Sequence, residues 1–255
     1  MIVEKVKIVS NNKIAENIWE MVFKSENIAD DYLGAGQFVS ILVNDSWEHP
    51  IRRPMSIANV KDENISIIYK VFGSVTRSLT QLTSDDCIDV LGPIGNTFTV
   101  DYDKYTPILI GGGIGLSPIL NLSKCLEQKG INATTIIGAK SSDEHFLLHN
   151  PNNNIFLSTD DGSFGIRGTV IDTLNIVLEG IVNPKIYACG PEVMLTVLQK
   201  ILSKINIPAQ FSVESYMACG VGICQGCAIS KSQNEGYHLV CKDGPVFEAN
   251  EVKFD

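Results

Sequence analysis

The chain has 255 residues, 44% of them hydrophobic and 19% charged, with a formal net charge of −9. That length holds one large or two modest domains at ~100–200 residues each, and the composition supports an ordinary buried core rather than disorder. The acidic balance argues against a nucleic-acid partner, which is met by a basic face. No apolar run approaches the ~18–20 residues of a membrane span, and the first residues lack an apolar signal core, so the expectation is a cytoplasmic chain with no membrane contact.

Residues 1–102 read as short strands at 3–8, 18–23, 37–43, 56–60, 65–71 and 88–91, rich in Val, Ile, Phe and Tyr and punctuated by Gly, Asn, Asp or Pro. Six such strands suggest a small antiparallel barrel or sandwich, with one helix near 74–81. Inside this region stands Arg53-Pro54-Met55-Ser56. An Arg and a Ser beside a strand can bind a phosphate by charge-assisted hydrogen bonds; taken alone, an exposed structural arginine is the simpler reading.

From Thr106 the pattern changes to alternating strands and helices. Strands are expected at 107–110, 133–138, 155–158 and 185–188, and helices at 116–128, 170–178 and 192–204, which points to a parallel sheet. The first of these strands leads into GGGIGLSP. Within it Gly113, Gly115 and Pro118 form G-x-G-x-x-P, a turn that lets backbone amides and a helix N-terminus meet a pyrophosphate. A tight connection alone would look the same. The usual dinucleotide fingerprint also expects an acid at the end of the next strand, for the ribose. None stands there: Lys140 lies nearby and Asp143 and Glu144 follow, which leaves the choice between NADH and NADPH open.

Four of the seven cysteines, spaced Cys219-x4-Cys224-x2-Cys227-x13-Cys241, close the chain. An odd count without a secretion signal speaks against a disulfide framework. The spacing is that of a plant-type [2Fe–2S] centre, and Gly220, Gly222 and Gly226 allow the tight wrapping such a loop needs. The competing assignment is a four-thiolate zinc site, but those sites use two separated C-x2-C pairs, and Cys241 has no near partner. Cys87 and Cys125 are expected to be buried apolar fillers. His49, His145, His149 and His238 show no metal spacing and read as structural, and Asp160-Asp161 before Gly162 reads as a turn.

The order RPMS, GGGIGLSP and Cys189-Gly190-Pro191-Glu192 resembles the ferredoxin–NADP reductase superfamily. TDDGSFGIRG (159–168), ACGVGICQGC (218–227) and VCKDGPVFEANEV (240–252) narrow the likeness to the electron-transfer subunits of class 1B dihydroorotate dehydrogenase. The resemblance spans essentially the whole chain. It implies an antiparallel FAD-binding β barrel over 1–102, a parallel-sheet NAD-binding α/β domain over 103–210 and a small [2Fe-2S] domain over 211–255. Arg53 to Ser56 would hold FAD, with Arg53 at the pyrophosphate. Ile68, Tyr69 and Lys70 would offer backbone to the isoalloxazine, and Gly73, Val75 and Thr76 would form a second phosphate turn. Val75 departs from the glycine common there, and a β-branched residue resists positive φ.

By the same resemblance Cys189, Gly190 and Pro191 lie near the nicotinamide, and Cys219, Cys224, Cys227 and Cys241 ligate the cluster. NADH would give a hydride to FAD, and the cluster would relay single electrons to FMN in a separate catalytic subunit that oxidises dihydroorotate to orotate, within a heterotetramer. No side chain is needed as acid or base. The alternatives are the flavin and iron–sulfur subunit of an NADPH:ferredoxin transhydrogenase or sulfide dehydrogenase, a diaphorase with no obligate partner, and a non-enzymatic zinc scaffold.

Overall fold

A computed structural model describes residues 1–43, 47–233 and 235–254. The first strands are β1 (Ile2–Ala15), β2 (Ile18–Lys24), β3 (Phe38–Leu42), β4 (Arg53–Lys61), β5 (Asn64–Lys70) and β6 (Cys87–Ile94), and they close into an antiparallel barrel of order β1-β2-β5-β4-β3-β6. β1 runs well past the expected residue 8. Its register shifts at Ile8/Ser10 and Lys13/Ala15, so its first half pairs with β6 and its second with β2; bulges of this kind bend a strand around a barrel corner. Alternation sends Val6, Ile8, Met21, Phe23, Ile41, Ile57, Ile65 and Ile67 inward.

Two short helices belong to this unit. α1 (Glu26–Asp31) is capped by the Ser25 hydroxyl, which accepts from the Ile28 amide. α2 (Ser74–Leu79) buries Val75 and Leu79 against the barrel core. Val75 therefore sits in a helix and needs no positive φ: its branched side chain fills the barrel core. Cys87 is a correction of another kind. It opens β6 on the outward side of the pleat and is exposed, while Cys125 is half-buried; neither is a buried filler.

The second unit follows as β7 (Thr106–Gly112), α3 (Leu116–Gln128), β8 (Thr134–Ala139), β9 (Ile155–Thr159), β10 (Ile166–Arg167), α4 (Val170–Leu178), β11 (Pro184–Cys189), α5 (Glu192–Lys204) and β12 (Ala209–Ser212). The sequence places all the longer helices correctly, because each has an apolar stripe at helical spacing; α4 also has a Thr169–Asp172 capping box. The small C-terminal unit holds β13 (Ala228–Lys231), β14 (Tyr237–Leu239), α6 (Val240–Asp243), β15 (Val246–Glu248) and β16 (Val252–Lys253). β14-β13-β16 form their own sheet, whereas β15 adds antiparallel to the edge of the large one, giving β10-β9-β8-β7-β11-β12-β15.

Strand order runs outward in opposite directions from β7 and β11. Their shared carboxyl end is thus the topological switch point where an open α/β sheet presents its crevice. Among the described residues no helix is long and apolar enough to cross a membrane.

Candidate functional site

A cleft of about 150 Å³ opens where the three units meet. The barrel contributes Pro54, Met55, Ser56 and Ile68, α3 contributes Ser117, and the end of β12 with the segment after it contributes Ser212, Val213, Glu214, Ser215 and Met217. Apolar faces with a few convergent hydroxyls suit a flat heteroaromatic ring with polar edges, so these residues fit an isoalloxazine. The Ser117 hydroxyl donates to the Ile68 carbonyl at 3.0 Å and so locks the barrel wall to the helix wall.

The other barrel residues singled out from sequence fall around this cleft rather than in it. The Arg53 guanidinium donates to the carbonyls of Ile51 (2.7 Å) and Arg52 (3.4 Å). Tyr69 points into the barrel, where its hydroxyl donates to Asn11 at 3.0 Å and burial pushes its pKa up to about 12. The Thr76 hydroxyl accepts from the Phe72 and Gly73 amides and closes the α2 turn.

A second, larger cleft of about 540 Å³ lies along the carboxyl ends of the parallel strands. Pro191, Gly112 and Gly113 line it, as do Ala139, Lys140 and Asp160; the barrel side supplies Lys70 and Phe72. Lys70 Nζ pairs with Glu144 Oε1 at 2.7 Å. The glycine turn is required by close approach. A Cβ on Gly115 would stand 2.4 Å from the Cys189 carbonyl, so only glycine lets the start of α3 sit on the end of β11. Pro118 occupies the first turn of α3, where its missing N–H is no loss. The turn thus fits a dinucleotide pyrophosphate. Cys189 is buried beneath it, and burial, followed by the nearby Glu214 carboxylate, pushes its thiol well up.

The cysteine loop gathers its thiols with backbone donors aimed at them. The amides of Val221 and Cys224 both donate to Cys219 Sγ at 3.4 Å, Gly222 donates to Cys241 Sγ at 3.1 Å, Gly226 to Cys224 Sγ at 3.5 Å and Cys241 to Cys227 Sγ at 3.4 Å. The φ of +80° at Gly222 turns its amide toward the sulfur. The Cys224 and Val221 amides pull the Cys219 thiol down to about 6, whereas burial, with Cys227 close by, pushes Cys241 up to about 12. The Cys227 and Cys241 sulfurs lie 3.3 Å apart. Among the described residues no three ligating side chains converge on one ion position; a two-iron cluster shares its thiolates between two metals and needs no such point. Each of the four sulfurs accepts at least one backbone amide, the kind of hydrogen bond that tunes an iron–sulfur centre, so the residues fit it.

Glu214 was not singled out from the sequence. It lines the flavin cleft and is exposed as a residue, but the surrounding protein strips enough water from its carboxyl to push its pKa up to about 7. No local motif marks it; its only signal is its place just upstream of the cysteine loop. Asp161 accepts from the Ser163 amide and hydroxyl (2.9 and 2.6 Å), the turn expected there. His145 bonds the Ser158 carbonyl, and His149 accepts from the Leu157 amide.

Residues 214–253 match the model of the iron–sulfur cluster binding domain of dihydroorotate dehydrogenase B. The chain is 38% identical over 253 residues to the electron transfer subunit of dihydroorotate dehydrogenase B (NAD(+)) from Bacillus pumilus, covering 96% of each. It is equally 38% identical to that of Streptococcus mutans, covering 99% of this chain and 98% of the relative. Among solved structures, an NADH-dependent reduced ferredoxin-NADP oxidoreductase studied for flavin-based electron bifurcation superposes with a TM-score of 0.85 at 27% identity, over 97% of this chain and 89% of that one. Phthalate dioxygenase reductase shares the fold, with a TM-score of 0.64 at 17% identity over 90% and 86% of the two chains. With the barrel, the switch-point crevice and the cysteine loop all in place, the chain belongs to the family of dihydroorotate dehydrogenase B (NAD(+)) electron transfer subunits.

Proposed function

We propose that this chain connects NAD(H), through FAD and a [2Fe–2S] cluster, to the FMN of a dihydroorotate dehydrogenase catalytic subunit in pyrimidine biosynthesis. The observation that carries this reading is the flavin cleft itself. Barrel, parallel-sheet and C-terminal residues all wall it, and Met217 on its rim stands two residues from Cys219. Oxidation of dihydroorotate releases electrons that NAD+ takes up. In dehydrogenase turnover the path therefore runs from partner to dinucleotide, opposite to the direction expected from sequence, and added NADH drives it backwards.

Bound FAD and the cluster supply the exchange between two-electron and one-electron chemistry. The chain's own residues position them. In this reading 1–102 is the FAD unit, 103–210 the dinucleotide unit and 211–255 the cluster unit. Arg53, Pro54, Met55 and Ser56, the backbone of Ile68, Tyr69 and Lys70, and the Gly73, Val75 and Thr76 turn serve FAD. Gly113, Gly115, Pro118, Cys189, Gly190 and Pro191 serve the dinucleotide, and Cys219, Cys224, Cys227 and Cys241 ligate the cluster. Tyr216 and Ile223, 95% and 79% exposed beside the cysteine loop, give the catalytic subunit an apolar surface to cover in a cytoplasmic heterotetramer.

Visible and EPR spectra of anaerobically purified protein test the reading. NADH is expected to bleach flavin absorbance and raise an S = 1/2 iron–sulfur signal. The Cys224→Ser variant is expected to keep its flavin and lose that signal. An intact cluster in the variant would remove Cys224 from the ligand set, and a colourless protein would overturn the whole assignment.

A further inference from the structure

The C-terminal unit is held from two sides. On the sheet side β15 pairs antiparallel with β12, Ser212 opposite Val246, and the Val213 amide donates to the Pro245 carbonyl at 2.9 Å. On the barrel side the bonding is concentrated in one residue. Among the described residues, every hydrogen bond between 1–102 and 211–254 is made by Asn96, two residues beyond the end of β6.

All of these bonds fall on the short segment 243–246. The Asn96 backbone amide donates to the Gly244 carbonyl at 2.8 Å. Its side-chain Nδ2 donates to the carbonyls of Asp243 (3.2 Å) and Val246 (2.8 Å), and its Oδ1 accepts from the Val246 amide at 2.9 Å. The side chain thus engages both backbone groups of Val246, as a residue of a paired strand does. Gly95 lets the two backbones close to this distance: a Cβ there would stand 2.4 Å from Pro245 Cδ.

The gripped segment joins two functional points. Cys241 stands two residues before it. Pro245, within it, lines the flavin cleft together with Phe38 of the barrel. Where Asn96 holds this segment therefore decides how far the cysteine loop lies from the cleft. Neither Asn96 nor residues 243–246 line the dinucleotide cleft.

We propose that Asn96 is a positioning residue for the single-electron step: it fixes the gap between flavin and cluster and leaves hydride exchange with the dinucleotide alone. The proposal rests on the flavin and cluster reading of the two sites. Electron exchange between two bound centres falls steeply as the distance between them grows. A single neutral hydrogen bond contributes little, but several converging on one short segment leave it a single seat. Removing the Asn96 side chain deletes all of them except the one from its backbone. The β12–β15 ladder still carries the C-terminal unit on the sheet, so the unit stays folded and gains freedom to tilt away from the barrel.

The test uses the full chain loaded with flavin and cluster, as wild type, Asn96→Ala and Asn96→Asp. The aspartate keeps an acceptor for the Val246 amide but cannot donate to the Asp243 and Val246 carbonyls. Anaerobic stopped-flow mixing with NADH separates flavin bleaching from the later reduction of the cluster. Both variants are expected to bleach their flavin at the wild-type rate and to reduce the cluster about ten-fold more slowly. The magnetic coupling between flavin and cluster EPR signals in half-reduced protein is expected to weaken in parallel, with the midpoint potentials of both centres unchanged. Cluster reduction at the wild-type rate, or a slower one with the coupling intact, overturns the proposal and leaves Asn96 a fastener. Loss of flavin or cluster from both variants also overturns it, because Asn96 is then needed to build the sites rather than to space them. Wild-type protein that carries no flavin or no iron–sulfur signal would instead sink the functional reading, and this inference with it.

Discussion

Glu214 supplies the one carboxyl among the described residues lining the flavin cleft. Its folded pKa is pushed up to about 7 from 4.5 by lost hydration, so the folded chain holds a proton that the unfolded chain has released. Stability then falls as pH climbs through the window from about 4.5 to about 7 and stays lower above it. Glu214→Gln removes the titrating group. The variant is expected to gain stability over wild type progressively between pH 5 and 7.5 in urea unfolding, with the difference level beyond. Parallel curves across that range would show the carboxyl already ionised at pH 5. The residue scale is also where sequence reading divides. The cysteine ligands were legible because a cluster loop is a local device whose spacing is its geometry. Glu214 was not, because the residues that share its cleft come from segments far apart in the chain, Phe38, Ser56 and Ser117 among them.

At the scale of elements the strongest constraint is the seat of α3 on the end of β11. The Gly115 position leaves no room for a methyl: the atoms in the way are the Cys189 carbonyl and the Gly190 amide, 2.4 and 2.5 Å from a built Cβ, and backbone does not swing aside as a side-chain tip does. Gly115→Ala is expected to cost ~3 kcal/mol and to abolish flavin reduction by NADH. Gly180→Ala, which meets nothing within 4 Å, is expected to stay within ~0.5 kcal/mol of wild type. Equal melting of the two variants would mean that α3 can shift off β11 without penalty. The turn was readable in sequence, but its reason was not: the partner of Gly115 is contributed 74 residues later. The helices α3, α4 and α5 were readable because each repeats an apolar stripe over several turns. α1 was not: it has six residues with Ile28 alone buried, too short for a period to show. Likewise β1 continues through Asn11 and Asn12, polar residues that hid the second half of the strand. There Asn11 serves the molecule by donating to the carbonyls of Leu79, at the end of α2, and Leu82, just beyond it.

For the whole molecule, transfer between dinucleotide and flavin depends on how the barrel is held against the sheet, and polar side chains on the barrel-facing side of α3 do this. Asn121 is 2% exposed; its amide donates to the Ile57 carbonyl at 2.9 Å and the Tyr32 hydroxyl at 2.6 Å. On the sequence it looked like any polar residue of an amphipathic helix, because its partners are barrel groups brought to it only by folding. Truncating it leaves a buried carbonyl and a half-buried hydroxyl without their donor, which costs ~1–3 kcal/mol and, at this chain length, about 2–4 °C of Tm per kcal/mol. The Lys70–Glu144 pair spans the same junction with side chains 29% and 19% exposed; partial hydration limits it to ~1 kcal/mol or less. Asn121→Ala is therefore expected to destabilise the protein more than Lys70→Met, and to slow flavin reduction by saturating NADH about ten-fold, because hydride transfer is steep in donor–acceptor placement. Stopped-flow bleaching of the flavin beside thermal melts separates the two effects. If Asn121→Ala melts lower but reduces its flavin at the wild-type rate, the junction is a fastener only, and the relative placement of nicotinamide and flavin is set by the apolar packing of α3 on β4 and β5.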